Sequence, residues 1–142
     1  MTNSKELKEL LNSGKTIIVP DAYNPLSAKL IENMGFDAVQ CSGYSYSIAL
    51  CLKQESEVLL EQNLQITKLI IDSVAVPVMA DGEDGFGGIE QIPITIEKYL
   101  EIGTSGINLE DQILREINKE KVIKSQDMVL KIKAARKTAN DF

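Results

Sequence analysis

The chain of 142 residues predicts an α/β fold in which successive βα units build a parallel sheet. Three observations carry that expectation. Short apolar runs rich in β-branched residues alternate with longer segments whose apolar residues recur at helical spacing. Glycine or proline stands at most junctions between them. Small polar or acidic residues follow directly on each apolar run: Asp21, Ser42-Gly43-Tyr44, Asp81-Gly82-Glu83 and Glu110-Asp111. The loops at the opposite ends, Gly14-Lys15, Gly35-Phe36 and Gly103-Thr104-Ser105, are poor in acids. In a parallel sheet the four clusters would share one rim at the carboxyl ends of the strands, where α/β proteins hold ligands.

Taken in order, residues 4–13 carry Leu7, Leu10 and Leu11 at helical spacing, with Gly14 as a stop. Thr16-Ile17-Ile18-Val19-Pro20 predicts the first strand, ending in Asp21-Ala22-Tyr23. Asn24 followed by Pro25 makes an N-cap and first-turn pair, opening a helix whose face is Leu26, Leu30, Ile31 and Met34 and which Gly35 closes. Ala38-Val39-Gln40-Cys41 is a second strand, running into the small polar loop Ser42-Gly43-Tyr44-Ser45. Ser56 is placed as the cap of a long helix with the stripe Leu59, Leu60, Leu64, Ile66, Ile70, Ile71 and Val74.

Val76-Pro77-Val78-Met79-Ala80 has the length of a buried strand, and the stretch after it, Asp81-Gly82-Glu83-Asp84-Gly85-Phe86-Gly87-Gly88, combines three carboxylates with four glycines. Asp84-Gly85 also suits a hairpin turn, but Pro93 makes a poor ladder member in the segment that follows. Ile92 to Ile102, stopped by Gly103, therefore predicts a helix. A strand, a glycine-rich acidic loop and a helix in that order outline a metal or anion site. Gly106-Ile107-Asn108-Leu109 is the fourth strand, and residues 126–139 a last helix with Met128, Val129, Ile132, Ala135 and Ala139 inward.

Composition limits the chemistry. Apolar residues make up 44% and charged residues 25%, which suits one domain with a core. No run approaches a membrane span, so the expectation is a cytoplasmic protein with no membrane partner. A net charge of -6 argues against nucleic acid. The late cations Lys119, Lys121, Lys124, Lys131, Lys133, Arg136 and Lys137 are interleaved with Glu116, Glu120 and Asp127 and read as a solvated face. Cys41 and Cys51 read as buried free thiols. The chain has no histidine, which removes histidine-based triads and the usual zinc ligand. A metal must then be held by oxygen, which suits Mg2+ or Mn2+.

Pro20-Asp21-Ala22-Tyr23, Gly35-Phe36-Asp37-Ala38, Ser42-Gly43, Asp81-Gly82-Glu83-Asp84-Gly85-Phe86-Gly87 and Gly106-Ile107-Asn108-Leu109-Glu110-Asp111-Gln112, in this order, resemble the phosphoenolpyruvate mutase and isocitrate lyase superfamily. The resemblance implies the first half of a (β/α)8 TIM barrel, about four strands with an N-terminal helix. It implies a Mg2+-dependent lyase or phosphonomutase that makes or breaks a C–C or P–C bond in a small 2-oxo acid through an enolate. Asp81 would be the direct metal ligand, with Glu83 and Glu110 acting directly or through metal-bound water. Ser42, Gly43 and Tyr44 match the loop that binds the carboxylate or phosphonate substrate, and Tyr44, Asp81 and Glu110 would be catalytic.

Glu83, where aspartate is common in the family, points to the mutase-like branch. Gln54 and Glu55 are the nearest counterparts of the acid that follows the Ser-Gly pair at some distance. Ile113-Leu114-Arg115-Glu116-Ile117-Asn118 stands where the lyases carry a lid with a catalytic cysteine, which disfavours isocitrate or methylisocitrate cleavage. A whole barrel takes about 250 residues. Residues 1–142 are accordingly read as one partial barrel domain truncated before the fifth strand, a form that would expose sheet edges and favour a homo-oligomer. The alternatives are a catalytically inactive half-barrel or assembly partner, and a flavodoxin-like domain, for which Pro20-Asp21-Ala22-Tyr23 offers no phosphate loop.

Overall fold

The computed structural model describes residues 3–113 and 122–139. Its elements run α1 (Asn3–Leu11), β1 (Asp21–Ala22), α2 (Pro25–Asn33), β2 (Val39–Cys41), α3 (Gly43–Ala49), α4 (Leu60–Ser73), β3 (Val78–Asp81), α5 (Ile92–Ile102), β4 (Gly106–Asn108) and α6 (Ser125–Thr138). The strands form one sheet in the order β1-β2-β3-β4, and every neighbouring pair is parallel. Four parallel strands alternating with helices are the architecture the sequence predicts.

The local reasons are visible in the caps. Asn24 Oδ1 accepts from the Ser27 backbone N at 2.8 Å, and Ser27 Oγ accepts from the Asn24 N at 3.2 Å. This reciprocal cap, with Pro25 behind it, starts α2 where the sequence places it. Gly103 ends α5 in the left-handed conformation, φ 86°. The core lies between the sheet and its helices. Ala28 and Ile31 of α2 and Ile70 of α4 close on Ala22, Val39, Cys41 and Val78. Leu60 and Tyr99 close on Ala80. Leu7 of α1 is buried against the start of β4.

Several expectations are corrected. The first strand is Asp21–Ala22 and not Thr16–Pro20, because β1 lies at the sheet edge and pairs only with Gln40 and Cys41 of β2. Leu26, Leu30 and Met34 do not face the core but stand 68%, 55% and 75% exposed, leaving Ala28 and Ile31 as the buried side of α2. Ser42–Ser45 is not a loop: Ser42 caps α3, its Oγ accepting from the Ser45 N at 3.3 Å. Ser56 falls in a 3-10 turn, Glu55–Glu57, and α4 starts later, where Gln62 Oε1 accepts from the Leu59 N at 3.0 Å. Leu59 itself is exposed.

On α6, Val129 and Ile132 face outward and the buried residue is Lys131, one of the cations assigned to a solvated face. Cys51 is exposed, whereas Cys41 is buried. The lid-loop reading from Leu114 to Asn118, with Glu116, Lys119, Glu120 and Lys121, lies outside the described residues.

Candidate functional site

The rim forms because parallel strands end together. Asp81 closes β3, and its Oδ2 accepts from the Gly43 backbone N at 3.0 Å across the sheet from β2. Its Oδ1 accepts from the Glu83 N at 3.1 Å. Ser45 Oγ on α3 donates to Asp21 Oδ2 of β1. The Glu110 N, after β4, donates to the Glu83 carbonyl at 2.8 Å. All four sequence clusters thus meet at the carboxyl end of the sheet.

Among the described residues, one group of acids has the geometry of a cation site. Oxygens of Glu55, Asp81 and Glu83 all lie within 4.8 Å of one another. Asp81 and Glu83 are 8% and 1% exposed, and Glu55 is half-buried. Three carboxylates held this close out of water repel one another unless a cation sits among them. The donor set is all oxygen, which fits a hard divalent ion such as Mg2+ or Mn2+. The nearby thiol of Cys41 is no ligand candidate, since burial pushes it up to about 12 and it faces Thr67 Oγ1.

Glu110 stands at the side of this group. It is half-buried, and its carboxyl is raised by burial first and then by the charges of Asp81, Asp84 and Asp111. Ser42 serves as the α3 cap, Gly43 is buried with its N–H on Asp81, and Tyr44 is 60% exposed at the rim. Gly43 is required here by space: an ideal Cβ would lie 1.8 Å from Glu83 Oε1.

The loop that presents Glu83 is held in an unusual shape. Glu83, Gly85 and Phe86 have φ of 51°, 89° and 61°. Left-handed backbone costs a non-glycine residue about 1–2 kcal/mol, so the surroundings must enforce it. Behind the strand, Tyr99 Oη lies 3.0 Å from both the Asp81 carbonyl and Asn63 Oδ1, and Thr67 Oγ1 donates to the same Asn63 oxygen at 3.1 Å. This buried network ties α4 and α5 to the end of β3.

Sequence reasoning assigned Lys131 to a solvated face, passed over Asn63 and left Glu55 undecided beside Gln54. Glu55 was detectable only through its distance from Ser42-Gly43. Nothing local marks Lys131, because its inward turn depends on how α6 docks.

A family model described as phosphoenolpyruvate phosphomutase matches residues 7–142. The chain is similar to 2,3-dimethylmalate lyase of Eubacterium barkeri, 34% identical over 142 residues, covering 95% of this chain and 48% of that protein. It is similar to phosphoenolpyruvate phosphomutase of Tetrahymena pyriformis, 28% identical, covering 96% of this chain and 47% of the relative. The solved structure of phosphonopyruvate hydrolase in complex with oxalate and Mg2+ superposes with a TM-score of 0.90 at 28% identity, over 97% of this chain and 48% of the other. The chain spans about half the length of the relatives it matches.

Proposed function

The chain belongs to the phosphoenolpyruvate phosphomutase family, and from that premise we propose that its rim is the Mg2+-dependent site of a lyase or phosphonomutase acting on a small 2-oxo acid. The observation that carries the reading is the close group of half-buried Glu55 with buried Asp81 and Glu83. A relative solved with oxalate and Mg2+ lends it support. Mg2+, or Mn2+ in its place, supplies when bound the positive charge that stabilises an enolate oxygen.

The chain's own residues do the rest. Asp81 is the central ligand, because hydrogen bonds from two backbone amides fix both of its oxygens. Glu83 and Glu55 would complete the set of oxygen ligands. Glu110, which follows β4 and whose raised carboxyl sits among other acids, would bind or orient the ion directly or through bound water. Ser42, Gly43 and Tyr44 line the approach for the substrate's carboxylate or phosphonate group, with Tyr44 exposed where an incoming acid would meet it. Tyr44, Asp81 and Glu110 are the residues assigned to the reaction itself. The partner is a small carboxylate or phosphonate, and a homo-oligomer is the proposed assembly.

The test is a thermal melt with and without Mg2+. At a hundredfold excess over its dissociation constant, the ion is expected to add about 2.7 kcal/mol of stability. Asp81→Asn should remove that gain; because its amide nitrogen would face one of the two backbone N–H groups that the carboxylate accepts from, the gain is read against the variant's own metal-free melt. No shift in the wild type would overturn the metal reading and favour a catalytically inactive half-barrel. A screen of 2-oxo acids and phosphonates in Mg2+ then decides between bond cleavage and rearrangement.

A further inference from the structure

The carbonyls of four consecutive residues in the acidic loop are each held by a different donor. Gly82 O accepts from the Gly85 N at 2.8 Å, within the turn. Glu83 O accepts from the Glu110 N at 2.8 Å, after β4. Asp84 O accepts from Lys131 Nζ at 2.6 Å, on α6. Gly85 O accepts from Thr95 Oγ1 at 2.9 Å, on α5. Two of the four donors are therefore side chains on helices, reaching in from outside the sheet.

The lysine is costly to place there. Lys131 is 6% exposed and Thr95 is fully buried, and a lysine gives up strong hydration to spend a donor on a neutral carbonyl. Their targets lie in the stretch where Glu83, Gly85 and Phe86 take positive φ. With that backbone the Glu83 carboxylate lies against Gly43, the first residue of α3. A relaxed loop would carry Glu83 away from Asp81.

We propose that Lys131 and Thr95 are positioning residues that clamp the Glu83–Phe86 backbone and so preorganise Glu83 as a cation ligand. The clamp is a claim about the chain alone; its consequence for affinity rests on the metal reading above. It makes α5 and α6 supports of the site, although neither supplies a residue to the acidic group. Partners hydrogen-bonded to a metal ligand fix its direction, and losing one weakens a site by ten- to a hundredfold; Lys131 and Thr95 act one and two residues along the backbone from Glu83.

The experiment compares the wild type with Lys131→Met, which keeps the aliphatic stem, and Thr95→Val, which keeps the shape. Amide hydrogen exchange in the absence of metal reads the clamp. The Glu83, Gly85 and Phe86 amides, which bond to Asp81 Oδ1, Gly82 O and Asp84 Oδ1, should exchange at least tenfold faster in either variant, with α4 amides unchanged. Wild-type rates at those three amides, or equal acceleration in α4, would overturn the clamp. If Lys131→Met does not fold, Thr95→Val alone decides. Titration with Mn2+, following the free ion by electron paramagnetic resonance, reads the consequence: its dissociation constant should rise about tenfold or more. A loosened loop with unchanged Mn2+ affinity would overturn the positioning role. A wild type that binds no Mn2+ would sink the metal reading and the positioning role with it, leaving the clamp to the exchange data.

Discussion

At Gly43 a methyl group would have to share space with the Glu83 carboxylate, 1.8 Å from the place of an ideal Cβ. Alanine is the better helix former by up to about 1 kcal/mol, but overpacking a filled site costs typically 1–3 kcal/mol. The clash wins because Glu83 is itself buried and clamped. Gly43→Ala is expected to lower stability modestly and to abolish the response to Mg2+, which a pair of melts with and without the ion would register. Asp81 and Glu83 were legible because acids directly after a buried strand have one place to go, the strand's carboxyl end. Lys131 was not. In a run with Lys124, Lys133, Arg136 and Lys137 its charge is indistinguishable from its neighbours', and only the docking of α6 on the acidic loop turns that one ammonium inward.

Elements with strong punctuation were readable to within a residue or two. Asn24-Pro25 and Gly35 bracket α2, and Gly103 ends α5. Removing the bracket has a defined cost: Asn24→Ala should destabilise the chain by about 1 kcal/mol, a fall of roughly 3 °C in Tm by calorimetry. Asn24→Ser, which restores an acceptor, should recover most of it. α3 escaped notice because Gly43, Ser45 and Ser47 are weak helix formers and the segment holds only seven residues. Its helicity comes from the Ser42 cap and from the Gly43 N–H pulled onto Asp81, a contact between distant parts of the chain. β1 shifted for a related reason. A β-branched run can pair only where a neighbour exists, and β2 begins at Val39.

At the scale of the whole molecule, the outer edges of β1 and β4 are unpaired among the described residues, and apolar side chains stand exposed on neighbouring elements. Ile18 precedes β1, Leu26, Leu30 and Met34 lie on or just after α2, and Val129 and Ile132 sit on the helix after β4. Parallel sheets keep their strands covered, and uncovered edges and apolar patches promote association. The 142-residue chain by itself is expected to scatter light with a concentration-dependent mass above that of one molecule. Leu30→Lys with Met34→Lys should lower that mass without altering the circular dichroism. The same parallel arrangement that leaves the edges open also gathers Asp21, Glu55, Asp81, Glu83, Asp84, Glu110 and Asp111 toward one end of a chain whose net charge is -6. A doubly charged acid approaching that end meets repulsion, and a divalent cation meets attraction. On the proposed reading the electric field therefore dictates a timetable: the cation enters first, reverses the local sign, and only then does the acid find a site that will receive it.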